Sequence, residues 1–384
     1  MRMQTLLLDD EQRMLRDSAR DFLTKRSPVA AMRALRDRRD ERGYDPQLWR
    51  DIADLGWPAA ALPEAYGGLG VGYKGLGAVF EQVGRTLAAT PLLTSAVLGG
   101  GLLAEAGSEV QRKHWLPKIA TGEALFALAL EEAPRHDPSR VALRAVREAD
   151  GWRLDGVKQF VLDGHVADRL IVVARSAGAP GEQAGLSFFL VEPATAGVKV
   201  ERTRLVDSRN AARVHFESVP LGNEALIGTP DTAFAALDRV LDRARACVAA
   251  ELLGVITEAF ERTVAYLKER VQFDVPIGSF QALQHRVARL HVDIELLRSC
   301  VAAALTAGDA GEEGAATLAS LAKGRAADLS EKALNEAVQM HGGIGVTDEL
   351  DVGFYLKRAR VARLALGDHD FHGHRYGQRL GLYA

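Results

Sequence analysis

What most limits the folds open to this chain is that its apolar periodicity changes twice along 384 residues. From Leu8 to about Gly122 the spacing is helical. Leu8, Leu15, Phe22 and Leu23 fall on one stripe, Trp49, Ile52, Leu55 and Trp57 lead into the Pro/Gly-rich turn LPEAYGGLG at 62–70, and a further helix runs through Val79, Val83 and Leu87. Near Ala124 short apolar runs take over: Phe126 to Leu130, then 151–164, 169–177, 186–193, 197–202 and 212–221, each bounded by Gly, Pro, Asp or Asn. Such runs read as strands. Short turns without intervening helices predict an antiparallel sandwich or barrel, and the absence of a GxGxxG opening a helix argues against a dinucleotide-binding sheet. From about Thr232 long helices return. Leu241, Val248, Leu252, Val255 and Ala259 share a face, as do Leu283, Val287, Leu290, Ile294 and Leu297, and then Leu318, Leu321, Leu329, Ala333, Ala337 and Met340, with the break GDAGEEG at 308–314 between the last two sets. The pattern is α+β: an N-terminal helical domain over 1–123, a middle β domain over 124–230 and a C-terminal four-helix bundle over 231–384.

Composition narrows the function. Lys and Arg number 48 against 51 Asp and Glu, a net charge of −3, which excludes a chain drawn as a whole to nucleic acid or anionic lipid. Cys247 and Cys300 have no CxxC spacing and read as buried thiols of a reducing compartment, so a cytoplasmic protein is expected. The start, MRMQTLLLDDEQ, has three leucines before two aspartates and lacks the apolar run of a secretory signal. The uncharged stretch from Thr86 is interrupted by Pro91 and by Gly99-Gly100-Gly101, which predicts buried helix and loop and no membrane span. The mixed-charge block RALRDRRDER from Arg33 to Arg42 reads as a solvated helix face.

Four phrases carry a resemblance: LPEAYGGLG at 62–70, GSEVQRKHWLPKIATGE at 107–123, ERVQFDVPIGSFQALQH at 269–285 and QMHGGIGVTDEL at 339–350. Their order and domain placement resemble the acyl-CoA dehydrogenase family over essentially the whole chain. The resemblance implies a flavoenzyme that oxidises the Cα–Cβ bond of an acyl-CoA thioester. A carboxylate takes the α-proton, a hydride leaves to FAD, and electrons pass on to an electron-transfer protein. A positioned base of this kind typically contributes about 10²–10⁴-fold in rate. The family also implies a tetramer with each FAD at an interface between two subunits.

By the same resemblance, Arg270, Phe273 and Gln281 meet the ADP half of FAD held mainly by the neighbouring subunit; a guanidinium suits a pyrophosphate because it binds it bidentately. The alternative is a helix-end Arg, a turn at Pro276-Ile277-Gly278 and an N-cap at Ser279. Gln339, Gly342 and Gly343 belong to a second cofactor segment, where the glycines also suit a helix C-cap, and His341 reads as packed. Asp242 and Arg245 match a family turn beside the thioester and CoA, making Arg245 a substrate-binding candidate, although their spacing equally suits an intrahelical ion pair. The tail DHDFHGHR at 368–375 lacks zinc-type spacing, so no metal is expected.

The chain departs from the family where chemistry is done. The usual base, a Glu in a Tyr-Glu-Gly-Thr loop, aligns with Leu366, with Ala365 at the Tyr and Asp368 at the Thr. The alternative base position holds Ala244. In the β domain the flavin-contacting segments read LEEAPRHD (130–137) and QFVLDG (159–164), putting Glu131 and Leu162 at the two threonines and Phe160 at the tryptophan. Three readings follow: a working dehydrogenase with a relocated base, Asp368 or Glu251; a non-catalytic subunit completing the FAD site of a homologous partner in a mixed tetramer, as known in the family for bulky or unusual acyl-CoA substrates; or a flavin-free acyl-CoA binder.

Overall fold

The computed structural model describes residues 7–382; Leu6, first of the three leucines, lies outside them. The helices before the sheet are α1 (Asp10–Arg26), α2 (Val29–Arg38), α3 (Pro46–Asp54), α4 (Gly72–Thr86), α5 (Gly101–Ala106) and α6 (Glu109–Ala120). The strands are β1 (Phe126–Ala129), β2 (Arg144–Glu148), β3 (Gly151–Leu162), β4 (Arg169–Arg175), β5 (Leu186–Val191), β6 (Val198–Arg204), β7 (Asn210–Gly222) and β8 (Leu226–Ile227). There follow α7 (Phe234–Glu269), the short hairpin β9 (Val271–Gln272) and β10 (Val275–Pro276), then α8 (Gln281–Ala310), α9 (Ala315–His341), α10 (Val352–Leu364) and α11 (His369–Arg379). Helical N- and C-terminal parts thus flank a central sheet in sequence. Two compact units divide the residues: one holds those up to Ala34, Tyr73–Ala88 and those from Arg245 onward, the other Leu35–Gly72 and Ala89–Ala244. Among the described residues no helix is long and apolar enough to cross a membrane.

Local chemistry sets the helix starts. Asp9 and Gln12 form a reciprocal capping box on α1, as Ser108 and Gln111 do on α6, and Pro46 opens α3 behind the Asp45 cap. The uncharged stretch after Thr86 is buried as read, but residues Leu93–Gly100 wind as a π-helix, in which Gly99 lets Phe126 approach; a Cβ there would lie 2.4 Å from the Phe126 Cβ.

The second unit is built on a mixed sheet with path β6-β7-β3-β2-β4-β5-β8. The expected all-antiparallel arrangement is corrected at β4, against which β1 and the end of β2 both run parallel. The chain between β1 and β4 is long enough to hold the β2–β3 hairpin, and that length permits a parallel return. Trp152, Phe189, Phe216, Leu154 and Val172 fill the apolar core. Strands β3 and β7 slip register between Lys158 and Val161, where β3 carries one extra residue and Phe160 takes φ +54°.

In the first unit, α4 and α7 cross on glycine. A Cβ at Gly84 would lie 2.0 Å from the Glu251 carbonyl oxygen, and one at Gly254 would lie 1.9 Å from the Glu81 carbonyl oxygen. The two backbones therefore touch, which no larger residue permits. Gly77, two turns earlier on α4, makes room for the Leu305 side chain of α8, whose Cδ1 would lie 2.3 Å from a Cβ there. Asp309 fixes the start of α4 by accepting from the Tyr73 and Lys74 backbone N–H groups at 2.6 and 2.8 Å. Close by the crossing, Glu251 and Arg358 of α10 form a bidentate pair, 2.8 Å on both arms, with Glu251 1% exposed. Tyr355 donates to the Arg85 carbonyl at 2.8 Å, so α10 is tied to α4 as well as α7.

The structure adjusts other expectations. Leu318 and Leu321 are only half-buried, whereas Ala319 and Ala322 are buried, because α9 presents its small residues to the bundle. Ser279 is not an N-cap: its hydroxyl turns back to the Pro276 carbonyl at 2.7 Å, and Phe280 precedes α8 without a side-chain cap. Arg33 in the charge block is not simply solvated. It pairs with Asp348 and Asp351 at 2.8 and 3.0 Å and lies 4.6 Å over the Phe354 ring. Cys247 is buried, with its thiol pushed up by desolvation, but Cys300 is only half-buried.

Replacing Gly84 by Ala is expected to destabilise the chain by about 1–3 kcal/mol through overpacking, although alanine favours helix by about 1 kcal/mol over glycine. A urea midpoint that stayed level or rose would refute the close crossing. Glu251→Ala is expected to cost about 3–5 kcal/mol by removing the carboxylate bonded to two arms of the buried Arg358 guanidinium. The double variant Glu251→Leu/Arg358→Met should recover most of that loss in the same urea titration, because neither buried charge remains.

Candidate functional site

In the first unit, two of the motifs singled out in the sequence lie side by side. Helix α7 ends at Glu269, and Arg270 starts a two-residue-loop hairpin whose central residues Phe273 and Asp274 have φ +55° and +65°. Positive φ at both positions is the twist that closes a hairpin of this length. The Arg270 N–H donates to the Tyr266 carbonyl, and its own carbonyl accepts from the Ile277 N–H, both at 2.8 Å, so the hairpin base is locked. The opposite contribution comes from the end of α9. His341 is buried, its Nδ1 is 2.7 Å from the Ala337 carbonyl, and its ring sits on Tyr266 with centroids 4.5 Å apart. Tyr266 precedes Arg270 by one helical turn and His341 directly precedes Gly342. This packed pair is what joins the two motifs.

The face so formed is open. Arg270, Gln281, Gln339, Gly342 and Gly343 are all exposed, and Phe273 is 86% exposed, touching Phe280 edge-on at 6.1 Å. Gly342 ends α9 with φ +64°, as a glycine C-cap does, and a Cβ at Gly342 or Gly343 would meet no atom within 4 Å. The face offers a guanidinium, two carboxamides, an aromatic ring and bare backbone. These groups suit a ligand with a phosphate and a flat heteroaromatic part.

The first unit contains a second candidate region, the loop between α10 and α11. Leu366 has φ +59° and Gly367 φ +106°. A left-handed leucine costs roughly 1–2 kcal/mol. Three donors hold it: Arg245 Nε at 3.2 Å and His372 Nε2 at 3.1 Å from the Leu366 carbonyl oxygen, and Lys323 Nζ bonded to the Arg363 and Gly367 carbonyls at 3.0 and 2.7 Å. Arg245 and Lys323 are both fully buried. Desolvation, with the Arg245 charge adding to it, pulls the Lys323 ammonium down to about 7. Arg245 also lies 5.3 Å over the Phe371 ring. Its guanidinium is therefore engaged with this loop rather than displayed on the surface. Asp368 caps α11, its Oδ1 accepting from the Phe371 N–H at 2.9 Å. Glu251, the other acid considered as a base, is held by Arg358. Ala244 is wholly buried in the second unit.

The segments 130–137 and 159–164, in the second unit, are occupied by their own side chains. Glu131 contacts His136 Nδ1 at 2.6 Å, and the His136 side chain is only 4% exposed. Lys158, fully buried, reaches Glu132 at 2.6 Å and the Leu130 carbonyl at 2.9 Å, and desolvation pulls it down to about 8. Glu132 also accepts from the Ala142 and Leu143 N–H groups at 2.7 and 2.9 Å. Leu162 is half-buried and brings no hydrogen-bonding side chain. Lys158 and Lys323 were missed from sequence; the available signal was a lysine among residues of an apolar face, Ala319, Ala322 and Ala326 for the second. Among the described residues there is no group of three or more His, Cys, Asp or Glu placed to hold a metal ion, and the tail histidines His369 and His372 face backbone carbonyls of Gly324 and Leu366.

Comparison with known proteins agrees with the three-part order. The chain matches the family models for the acyl-CoA dehydrogenase N-terminal domain over residues 9–123, the middle domain over 127–219 and the C-terminal domain over 234–381. It is 33% identical over 334 residues to the acyl-CoA dehydrogenase FadE12 of Mycobacterium tuberculosis, covering 86% of each chain. Among solved structures it resembles a variant of the Tcur3481-Tcur3483 steroid ACAD, at 32% identity and TM-score 0.87, covering 97% of this chain and 98% of that one. It also resembles the ChsE4-ChsE5 complex of Mycobacterium tuberculosis, at 27% identity and TM-score 0.88 over 99% of both. With all three domain models matched in order and relatives aligned over most of their length, the chain belongs to the acyl-CoA dehydrogenase family of oxidoreductases.

Proposed function

We propose that this chain is a subunit of an FAD-dependent acyl-CoA dehydrogenase that desaturates the Cα–Cβ bond of an acyl-CoA thioester, and that it lends FAD contacts to a homologous partner subunit carrying the base. The observation that carries this reading is Leu366. At the family's base position the loop is present and firmly held, yet its side chain cannot accept a proton. The other carboxylates considered are committed elsewhere, Glu251 to Arg358 and Asp368 to the start of α11. The lending face meanwhile has the donor set the cofactor needs.

When bound, the flavin supplies the acceptor for the hydride leaving Cβ. Arg270 would hold the pyrophosphate, Phe273 would cover an apolar part of the nucleotide, and Gln281 and Gln339 would bond its polar edge. Gly342 and Gly343 would let it lie against backbone, since a Cβ there would project into the open space it would fill. The residues aligned with the family's own-subunit flavin contacts fit less well. Leu162 offers no hydrogen bond, and Glu131 brings a carboxylate already engaged with His136. Solved relatives named as pairs, Tcur3481-Tcur3483 and ChsE4-ChsE5, support a mixed assembly and, through the first, a steroid-like acyl group. The electrons would leave through an electron-transfer protein, and the reaction would take place in the cytoplasm.

A self-sufficient dehydrogenase is the second reading, favoured only by Asp368, which lies two residues from Leu366 and uses one carboxylate oxygen in its cap. Asp368→Asn separates the two readings, because asparagine caps a helix as well as aspartate and removes only the base.

Two outcomes are expected. Purified alone, the chain should be colourless or carry flavin that no acyl-CoA bleaches; with a Glu-bearing homologue it should form a yellow complex bleached by acyl-CoA. Bleaching of the isolated chain that disappears in Asp368→Asn would establish the second reading instead. In the mixed complex, Arg270→Ala should weaken FAD retention by about tenfold or more, the scale of a lost charge-assisted phosphate contact. Thermal stability of the free subunit should not change, since Arg270 is exposed. Undiminished flavin occupancy in that variant would remove Arg270 from the cofactor site.

A further inference from the structure

The first unit contains a cavity of about 600 Å³ that the proposed function does not use. It lies among α1, α4, α7 and α8, away from the hairpin and from the Leu366 loop in its lining. Its floor is apolar and mixes small residues, Gly77, Ala78, Ala250 and Ala302, with Leu253 and Leu305. The size falls within the range of ligand pockets.

Its rim is rich in guanidinium groups, each of them paired with a carboxylate. Arg13, Arg16 and Arg20 lie on one face of α1 at i, i+3 and i+7, and Lys74, Arg85 and Arg298 complete six cations against two lining acids, Glu81 and Glu261. Those acids are consumed within the wall, Glu261 by Arg85 and Glu81 by Arg298 at 2.8 Å. Of the α1 arginines, Arg13 is paired with Asp10, and Arg16 with Asp17 at 3.0 Å. Arg20 makes only ion-pair contacts at 3.3 and 3.9 Å, to Asp17 and Asp21, and its side chain is 56% exposed. Its guanidinium therefore retains donors for an incoming anion. Among the described residues no aromatic side chain lines the cavity and Gln82 is its single carboxamide, so it offers no ring on which a nucleobase could stack.

We propose that this cavity binds a single-chain anionic amphiphile, its alkyl tail against the floor of α4, α7 and α8 and its phosphate or carboxylate head at Arg16 and Arg20. The small floor residues leave room for an unbranched chain, and burying each methylene there is favourable. The head stays at the mouth, where a guanidinium can bond it without being taken fully from water.

The test uses the full chain and decyl phosphate below its micellar concentration, followed by isothermal titration and native mass spectrometry. One decyl phosphate per chain is expected. Decyl maltoside, with the same tail and no charge, and inorganic phosphate, with the head alone, should each bind at least about tenfold more weakly, as expected when a charge-assisted bond or the buried tail is lost. Arg16→Gln/Arg20→Gln should weaken decyl phosphate by a similar factor without changing the thermal midpoint, and Ala302→Trp should block it by filling the floor. No saturable binding, or binding indifferent to both variants, would overturn the proposal. Equal affinity for decyl maltoside would remove the role of the arginines and overturn it too. Co-sedimentation with phosphatidylglycerol vesicles that both variants abolish, without binding of the monomer, would assign the cavity to a membrane lipid instead.

Discussion

The contact between α4 and α7 at Gly84 and Gly254 is the constraint on which the first unit rests. Helix α7 is 36 residues long, and Leu252, Val255, Ile256 and Ala259 are all buried. A helix that long is buried along this stretch only if a second helix can reach its axis, and side chains at the crossing would hold the backbones apart. With glycine on both sides the carbonyls of Glu81 and Glu251 fill the space that side chains would take. The position of the Glu251 backbone then fixes its carboxylate, which holds Arg358 and so docks α10. Tyr355, one turn before Arg358, closes the triangle by bonding α4. Two turns away Gly77 gives its space to the Leu305 side chain of α8, and both residues line the cavity.

Much of this was legible in sequence where the cause is local. Strand segments were bounded by Gly, Pro and Asp, and their positions hold because turn chemistry acts within a few residues. The stripe from Leu241 to Ala259 is buried as read, but so is every residue from Arg245 to Thr257, because α7 is covered on all sides along that stretch. The break at 308–314 is where α8 ends, with Gly311 at φ +62°. The parallel partners of β4 were not legible, since strand pairing depends on which segments return to one edge after a long connection. Nor was the crossing. In a single sequence Gly84 and Gly254 look like residues that weaken helices, and only the partner helix shows why alanine would be worse.

The candidate site divides in the same way. Arg270 and Gly342 stood out because each sits in a short phrase, and the hairpin geometry at Phe273 and Asp274 is a local matter. Their adjacency is not local. It follows from the contact between the tilted Tyr266 and His341 rings, two residues that carried no functional signal. Lys158 and Lys323 show the opposite difficulty. Each stands on an apolar face where a charge is costly unless it is bonded. Their partners are backbone carbonyls and, for Lys158, Glu132, which sits far along the chain.

The Leu366 loop separates geometry from chemistry. A strained, left-handed residue at a family base position invites a catalytic reading, because strain of that kind gathers at functional sites. Here the strain has a structural account. The Leu366 carbonyl takes bonds from Arg245 and His372, the Gly367 carbonyl takes one from Lys323, and Asp368 then starts α11. A Cβ at Gly367 would lie 2.4 Å from the Phe371 ring, so the chain must turn at that point for α11 to pack. The turn therefore serves the docking of the last helix whichever side chain stands at 366. Two buried cations that bond carbonyl dipoles keep this loop in place without a carboxylate, so the fold of this unit does not depend on an acid at 366.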